Sequence, residues 1–135
     1  MKNEYSNKLD NFLFKEIKDL KDLCIVEFGV REGISTKKFL ECCKKNKGKL
    51  FSIDIDDCSN VVNDQNWKFI KSRDDNFNFL EEKLPKMFDI ILIDSFHNAA
   101  HVKKILFHYY KKLKPGGFLF IDDISWVPYV KNNYR

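Results

Sequence analysis

The sequence predicts an α/β fold, a three-layer doubly wound sandwich built on five mainly parallel strands. Three observations lead there. Short apolar runs alternate along the chain with stretches of helical periodicity, the order expected when helices cover both faces of a parallel sheet. The clearest strand, Phe88 to Asp94, carries an unbroken apolar run at Ile90 to Ile93, as a strand buried on both faces should. Glycine or proline at Gly29, Gly48, Pro85 and Pro115 to Gly117 punctuates the pattern where elements should end.

Taken in order, Leu9, Phe12, Leu13, Ile17 and Leu20 recur at helical spacing and predict an amphipathic helix from about Tyr5 to Asp22. Cys24 to Phe28 are β-prone and end at Gly29. Ser35 or Thr36 is the expected N-cap of a helix carrying Phe39, Leu40 and Cys43, and Gly48 is expected to close it. Leu50 to Asp54 read as a second strand and Trp67 to Ile70 as a third, with a polar stretch between them that has room for a short helix. Phe77 and Leu80 mark a helical turn or two before Pro85. After the fourth strand, Val102, Ile105, Leu106, Tyr109 and Leu113 share one helix face, and Phe118 to Ile121 make a fifth strand. Right-handed crossovers then wind the sheet both ways, and ligands should bind at the carboxyl ends of its strands.

With 135 residues, 44% of them hydrophobic, the chain has the profile of one domain spanning 1–135, with an N-terminal helix in 1–22 and a core in 23–125. No apolar run approaches the ~20 residues that span a bilayer, so no membrane partner is expected. The N-terminus lacks the apolar segment of a secretory signal, and the expected location is cytoplasmic. The net charge is +4, yet Arg contributes only Arg31, Arg73 and Arg135, and Lys is interspersed with Asp and Glu. That pattern argues against a nucleic-acid partner, which would favour the Arg fork. Cys24, Cys42, Cys43 and Cys58 lack metal-ligand spacing and are expected to be reduced thiols.

The residues at the predicted strand ends carry the functional signal. They are Glu27 with Gly29, Asp54 with Asp56, Asp74 with Asp75, Asp94, and Asp122 with Asp123. So many carboxylates on one edge repel one another unless a cation, hydroxyls or amino groups meet them. The turn Glu27-Phe28-Gly29-Val30-Arg31-Glu32-Gly33 fits a nucleotide-like ligand approaching the backbone, but a dinucleotide fingerprint would need glycines where Arg31 and Ile34 stand. A carboxylate there repels pyrophosphate and suits an amino group. Asp54 is placed to accept hydrogen bonds from both hydroxyls of a ribose, so an adenosine with a positive or zwitterionic tail fits best.

Through VEFGVREG at the first strand, FSIDID at the second and FDIILIDSFH with LKPGGFLFIDD across the last two, the chain resembles the class I S-adenosylmethionine-dependent methyltransferases over roughly Cys24 to Ser125. Within them it is most similar to the metal-dependent small-molecule and sugar O-methyltransferases of the methyltransferase-24 type. The resemblance implies a Rossmann-like fold, S-adenosylmethionine as cofactor, and cofactor-binding positions at Glu27, Gly29, Val30, Arg31, Gly33, Asp54 and Ile55. It also places Asp74 or Asp75 at the adenine amino group, with the choice between them open. Arg31 replaces the family's common middle glycine, a departure also found in some sugar and small-molecule branches.

The same resemblance implies a Mg²⁺ site made by Asp94, Asp122 and Asp123, where a hard cation would bind substrate oxygens and lower the pKa of the hydroxyl to be methylated. A strand-ending Asp122 and a helix-capping Asp123 would be the structural alternative. Asp94 and His97 are the candidate catalytic residues. His97 follows the fourth strand closely, and imidazole titrates in the range a general base needs; His101 is a second candidate on the same helical face. Trp126, Pro128 and Tyr129 are candidates for a substrate wall.

The expected activity is methylation of a small-molecule or sugar hydroxyl, with Mg²⁺ as an assisting cofactor. The alternative is a catalytically incomplete S-adenosylmethionine-binding module acting through a partner. A nicotinamide-dependent oxidoreductase is disfavoured by Glu27 and the missing glycines. The superfamily sheet has seven strands, and the C-terminal hairpin that supplies the last two is expected to be absent, so the chain reads as a piece of a longer protein. A second copy covering the fifth-strand edge, as a homodimer, is the other expectation.

Overall fold

The computed structural model describes residues 4–94 and 98–122. Its elements are α1 (Glu4–Leu9), a π-helical turn (Asp10–Phe14), α2 (Lys15–Ile17), β1 (Leu23–Phe28), α3 (Ile34–Asn46), β2 (Gly48–Asp54), β3 (Trp67–Lys71), α4 (Phe77–Lys83), β4 (Phe88–Ile93), α5 (Ala99–Tyr109), a 3₁₀ turn (Tyr110–Lys112) and β5 (Leu113–Ile121). The five strands are all parallel and lie in the order β3-β2-β1-β4-β5. The expected doubly wound α/β sandwich is therefore present. The order reverses between β1 and β4, which opens the crevice where such sheets bind ligands.

Alternation along the strands divides the core in two. Ile25, Leu50, Ile90 and Leu92 pack with Leu9, Leu13, Ile17, Phe39 and Leu40 on the face covered by the first three helices. Val26, Phe28, Ile53, Ile91 and Ile93 pack with Leu80, Ile105 and Tyr109 beneath α4 and α5. Central β1 is enclosed on both sides, as a strand with neighbours and helices all round it must be.

Several local expectations change. The first helix stops at Ile17, and its π turn inserts one residue into the repeat, so Leu13 and Phe14 turn inward while Phe12 and Leu20 face solvent. Lys47, at φ 58°, ends α3, and Gly48 already begins β2. The α3 N-cap is Gly33 at φ 89°, not Ser35 or Thr36. No helix forms between β2 and β3. β5 begins at Leu113, before the expected Phe118. Its register slips between the Phe88 and Ile90 rungs, so Lys114 to Gly117 bow out and regular pairing resumes at Phe118. All four cysteines are free, and no helix among the described residues is long and apolar enough to cross a membrane.

Candidate active site

Hydrogen bonding extends one residue past each strand at the carboxyl edge. Gly29 N–H donates to Ile53 O at 2.8 Å, Asp94 N–H to Phe28 O at 2.9 Å, Ser72 N–H to Asp54 O at 2.9 Å, and Asp122 N–H to Ile93 O at 3.0 Å. These extra rungs bring the strand-end residues of all five strands to one rim.

The turn after β1 runs through three left-handed residues, Gly29 (φ 107°), Arg31 (φ 54°) and Gly33 (φ 89°). Arg31 thus adopts the conformation of the glycine it replaces, which a non-glycine residue holds only against strain of about 1 kcal/mol. Asp54 supplies the restraint. Its Oδ2 accepts Val30 N–H at 2.8 Å and Arg31 N–H at 3.2 Å, and its Oδ1 accepts Asp56 N–H at 3.0 Å. Burial works against its charge, but these backbone donors prevail and hold its carboxyl below the ordinary aspartate value.

Glu27 does not reach the rim. The alternation of β1 sends it to the same face as Ile25, under the first turn of α3, where it is fully buried. Ser35 Oγ donates to it at 2.6 Å, Ser52 Oγ at 2.6 Å and Thr36 Oγ1 at 2.5 Å. Buried in this way, Glu27 ties the end of β1 to the first turn of α3 through Ser35 and Thr36 and to β2 through Ser52. Burial raises its pKa, the three hydroxyls oppose that, and the Asp54 charge adds to the rise.

Two depressions flank the turn. The larger, about 390 Å³, is lined by Gly29, Arg31, Asp54, Ile55, Asp74 and His101, among others. Asp74 is buried there, with His101 Nε2 2.7 Å from its Oδ1. Asp75 points elsewhere: Arg73 Nε and Nη2 donate to its two oxygens at 2.8 and 3.0 Å, with Lys104 Nζ at 3.4 Å. Those cations hold its carboxyl well below the usual range. Asp74, Asp75 and His101 are close enough to share a cation, but they belong to this cleft, and Asp75 is already matched by Arg73 and Lys104.

The smaller depression, about 150 Å³, is lined by Tyr5, Val30, Arg31, Ser35, Asp94 and Asp122, among others. Both carboxylates are buried. Burial and the neighbouring Asp122 push the Asp94 pKa up to about 7, with the Tyr5 hydroxyl and Arg31 opposing. Lys8 Nζ donates to Asp122 Oδ1 at 2.5 Å. Two converging buried carboxylates, one of which resists ionisation, are a donor set that suits a hard divalent cation. His97 and Asp123 lie outside the described residues, as do Trp126, Pro128 and Tyr129.

Neither Tyr5, Lys8 nor Arg73 was singled out for this rim by the sequence. Tyr5 and Lys8 are three residues apart on α1, a spacing that puts both on one helix face, yet nothing local signals that this face meets β4 and β5.

The family model described as a methyltransferase domain, of the methyltransferase-24 type, matches residues 26–124. The chain belongs to this methyltransferase family. It is thus a class I S-adenosylmethionine-dependent methyltransferase domain. No curated protein matches the chain in sequence. Solved structures share its fold at low identity. A ribosomal RNA methyltransferase from Plasmodium falciparum aligns with TM-score 0.69 at 22% identity over 90% of this chain and 77% of its own. A Staphylococcus aureus protein described as a caffeoyl-CoA O-methyltransferase gives 0.68 at 18% identity over 98% of this chain and 63% of its own. A TDP-rhamnose 3'-O-methyltransferase of calicheamicin biosynthesis gives 0.66 at 15% over 90% and 62%. The methyltransferase domain therefore spans less than two-thirds of the length of the latter two.

Proposed function

We propose that the domain transfers the methyl group of S-adenosylmethionine to a hydroxyl of a small molecule or sugar. The division of its carboxylates by the Gly29 to Gly33 turn carries this reading. Asp54 and Asp74 sit in a cleft of about 390 Å³, large enough for a nucleoside, while Asp94 and Asp122 sit in a second recess across the turn. In this reading Asp54 accepts from the ribose hydroxyls while still clamping the turn, Ile55 lies along the adenine, and Asp74 meets the adenine amino group. The Gly29 to Gly33 backbone passes beside the methionine portion. The O-methyltransferases among the structural neighbours support the choice of an oxygen acceptor.

The reaction needs little covalent help from the protein. An acceptor oxygen attacks the methyl carbon in line, the carbon–sulfur bond breaks, and the sulfonium becomes a neutral thioether while the hydroxyl proton passes to a base. The work of the site is positioning and removal of that proton. Asp94 borders the acceptor recess, and His97, three residues further on, is the proposed base. Asp94, Asp122 and Asp123 are the residues that would hold Mg²⁺, which when bound supplies Lewis-acid stabilisation of an acceptor oxyanion.

Calorimetry with S-adenosylhomocysteine, followed by a methyl-transfer assay against diol and sugar acceptors, tests the proposal. Binding with transfer supports it. Binding without transfer to hydroxyl compounds would favour the non-catalytic module, and failure to bind would remove both.

A further inference from the structure

Among the described residues, the N-terminal helix reaches the acceptor recess from a part of the chain remote from the strand-end turns. It is held in place independently: Leu9, Leu13 and Ile17 are buried in the core, and Lys38 of α3 donates to Asp10 at 2.7 Å. From that seat it sends two side chains to the carboxylates. Tyr5 lines the recess together with Asp94, and the Lys8 ammonium reaches Asp122. The Asp122 side chain is 2% exposed, whereas that of Lys8 is 38% exposed, so the ammonium enters from solvent and caps a carboxylate that is otherwise enclosed. A π turn follows at once, a distortion often found where a helix is adapted to a site, and here it lets α1 present Lys8 while Leu13 and Phe14 stay in the core.

We infer that Lys8 is a built-in competitor for the cation position, so that a divalent ion binds Asp94 and Asp122 only after the Lys8 to Asp122 pair opens. The inference rests on the metal reading above and adds a residue to it. Its physical basis is that a buried carboxylate must be matched by positive charge, and one ammonium in direct contact with Asp122 already supplies it. A divalent cation at the pair displaces the ammonium into water, which its exposed stem permits. Lys8 then sets the metal affinity without being a ligand.

Mn²⁺ titration of the full chain saturated with S-adenosylhomocysteine, read by electron paramagnetic resonance of the free ion, tests this. Lys8→Met should bind one Mn²⁺ about tenfold more tightly than the unaltered protein, the scale of a charge-assisted hydrogen bond to a buried carboxylate. Lys8→Arg, which keeps the charge, should stay within about threefold. Adding Asp94→Asn should abolish the gain. Equal or weaker Mn²⁺ binding by Lys8→Met overturns the inference and leaves the metal reading standing, whereas a gain that survives Asp94→Asn overturns the inference and removes Asp94 from the metal reading as well. Absence of Mn²⁺ binding in every form, with S-adenosylhomocysteine still bound, overturns both. If Lys8→Met aggregates, Lys8→Gln makes the same comparison.

Discussion

Asp54 closes the cofactor turn by accepting Val30 N–H at 2.8 Å with the same carboxylate that faces the larger cleft. One side chain thereby both shapes the turn and lines the cleft in which we propose a ribose binds. Asp54→Ala should weaken S-adenosylhomocysteine binding by well over about tenfold, since the donors at Val30 and Arg31 lose their partner along with the ligand. Calorimetry measures this. Unchanged affinity would remove Asp54 from the site.

The left-handed Arg31 yields a comparison of two substitutions. Both Arg31→Gly and Arg31→Ala delete the guanidinium, but only alanine keeps a Cβ at φ 54°. The glycine variant should therefore be the more stable of the two by about 1 kcal/mol in denaturant unfolding. Equal stabilities would mean that the turn relaxes and stores no strain.

Glu27 predicts a pH effect. Its folded pKa lies above the ordinary glutamate value because of burial, so the native state keeps a proton that the unfolded chain has already released. Its contribution is full below the unfolded value and falls as pH rises towards the folded one. Glu27→Gln cannot titrate, so its melting temperature should gain on that of the unaltered protein as pH is raised from about 4.5. A gap that is constant or shrinks with pH would refute this.

Asp74 and Asp75, adjacent in sequence, should separate in function. Asp74→Asn should reduce S-adenosylhomocysteine affinity by about tenfold through loss of its carboxylate beside His101. Asp75→Asn, which disturbs only exposed partners, should stay within about twofold. The reverse ranking would assign the adenine contact to Asp75.

Gly33 and Gly116 are both left-handed, at φ 89° and 81°. A Cβ on Gly33 would run into Cγ1 of Val61, whereas one on Gly116 meets nothing within 4 Å. Gly33→Ala should cost about 2–3 kcal/mol and Gly116→Ala about 1. Similar losses would show that Val61 moves aside freely.

These residues also show which features were legible in the sequence. β4 was, because a strand enclosed on both faces shows an unbroken apolar run such as Ile90 to Ile93, and so was the core of β5, through Phe118 to Ile121 after the Pro115 to Gly117 break. The set of strand-end acids was too, because parallel topology alone brings them to one edge. The inward turn of Glu27 was not, since strand parity decides which side of the sheet a residue meets and the β1 register is a property of the whole sheet. Phe12 was misplaced because a constant period of 3.6 was assumed where a π turn breaks it, and Leu20 because the helix stops at Ile17. Lys8 could not be found at all: its partner is 114 residues away.

That separation has a consequence for how the domain comes into being. The turn, Asp54 and Asp74 all lie within the first 74 residues, on strands that pair with their sequence neighbours, so the cofactor cleft draws on contacts of modest loop length. The acceptor recess needs α1, β4 and β5 together, and its contacts have among the longest closures the chain contains. During synthesis, Lys8 emerges long before Asp122 exists. The recess lined by Asp94 and Asp122 is thus incomplete until β5 has been made and α1 has docked against it, well after the strands beside Asp54 have left the ribosome.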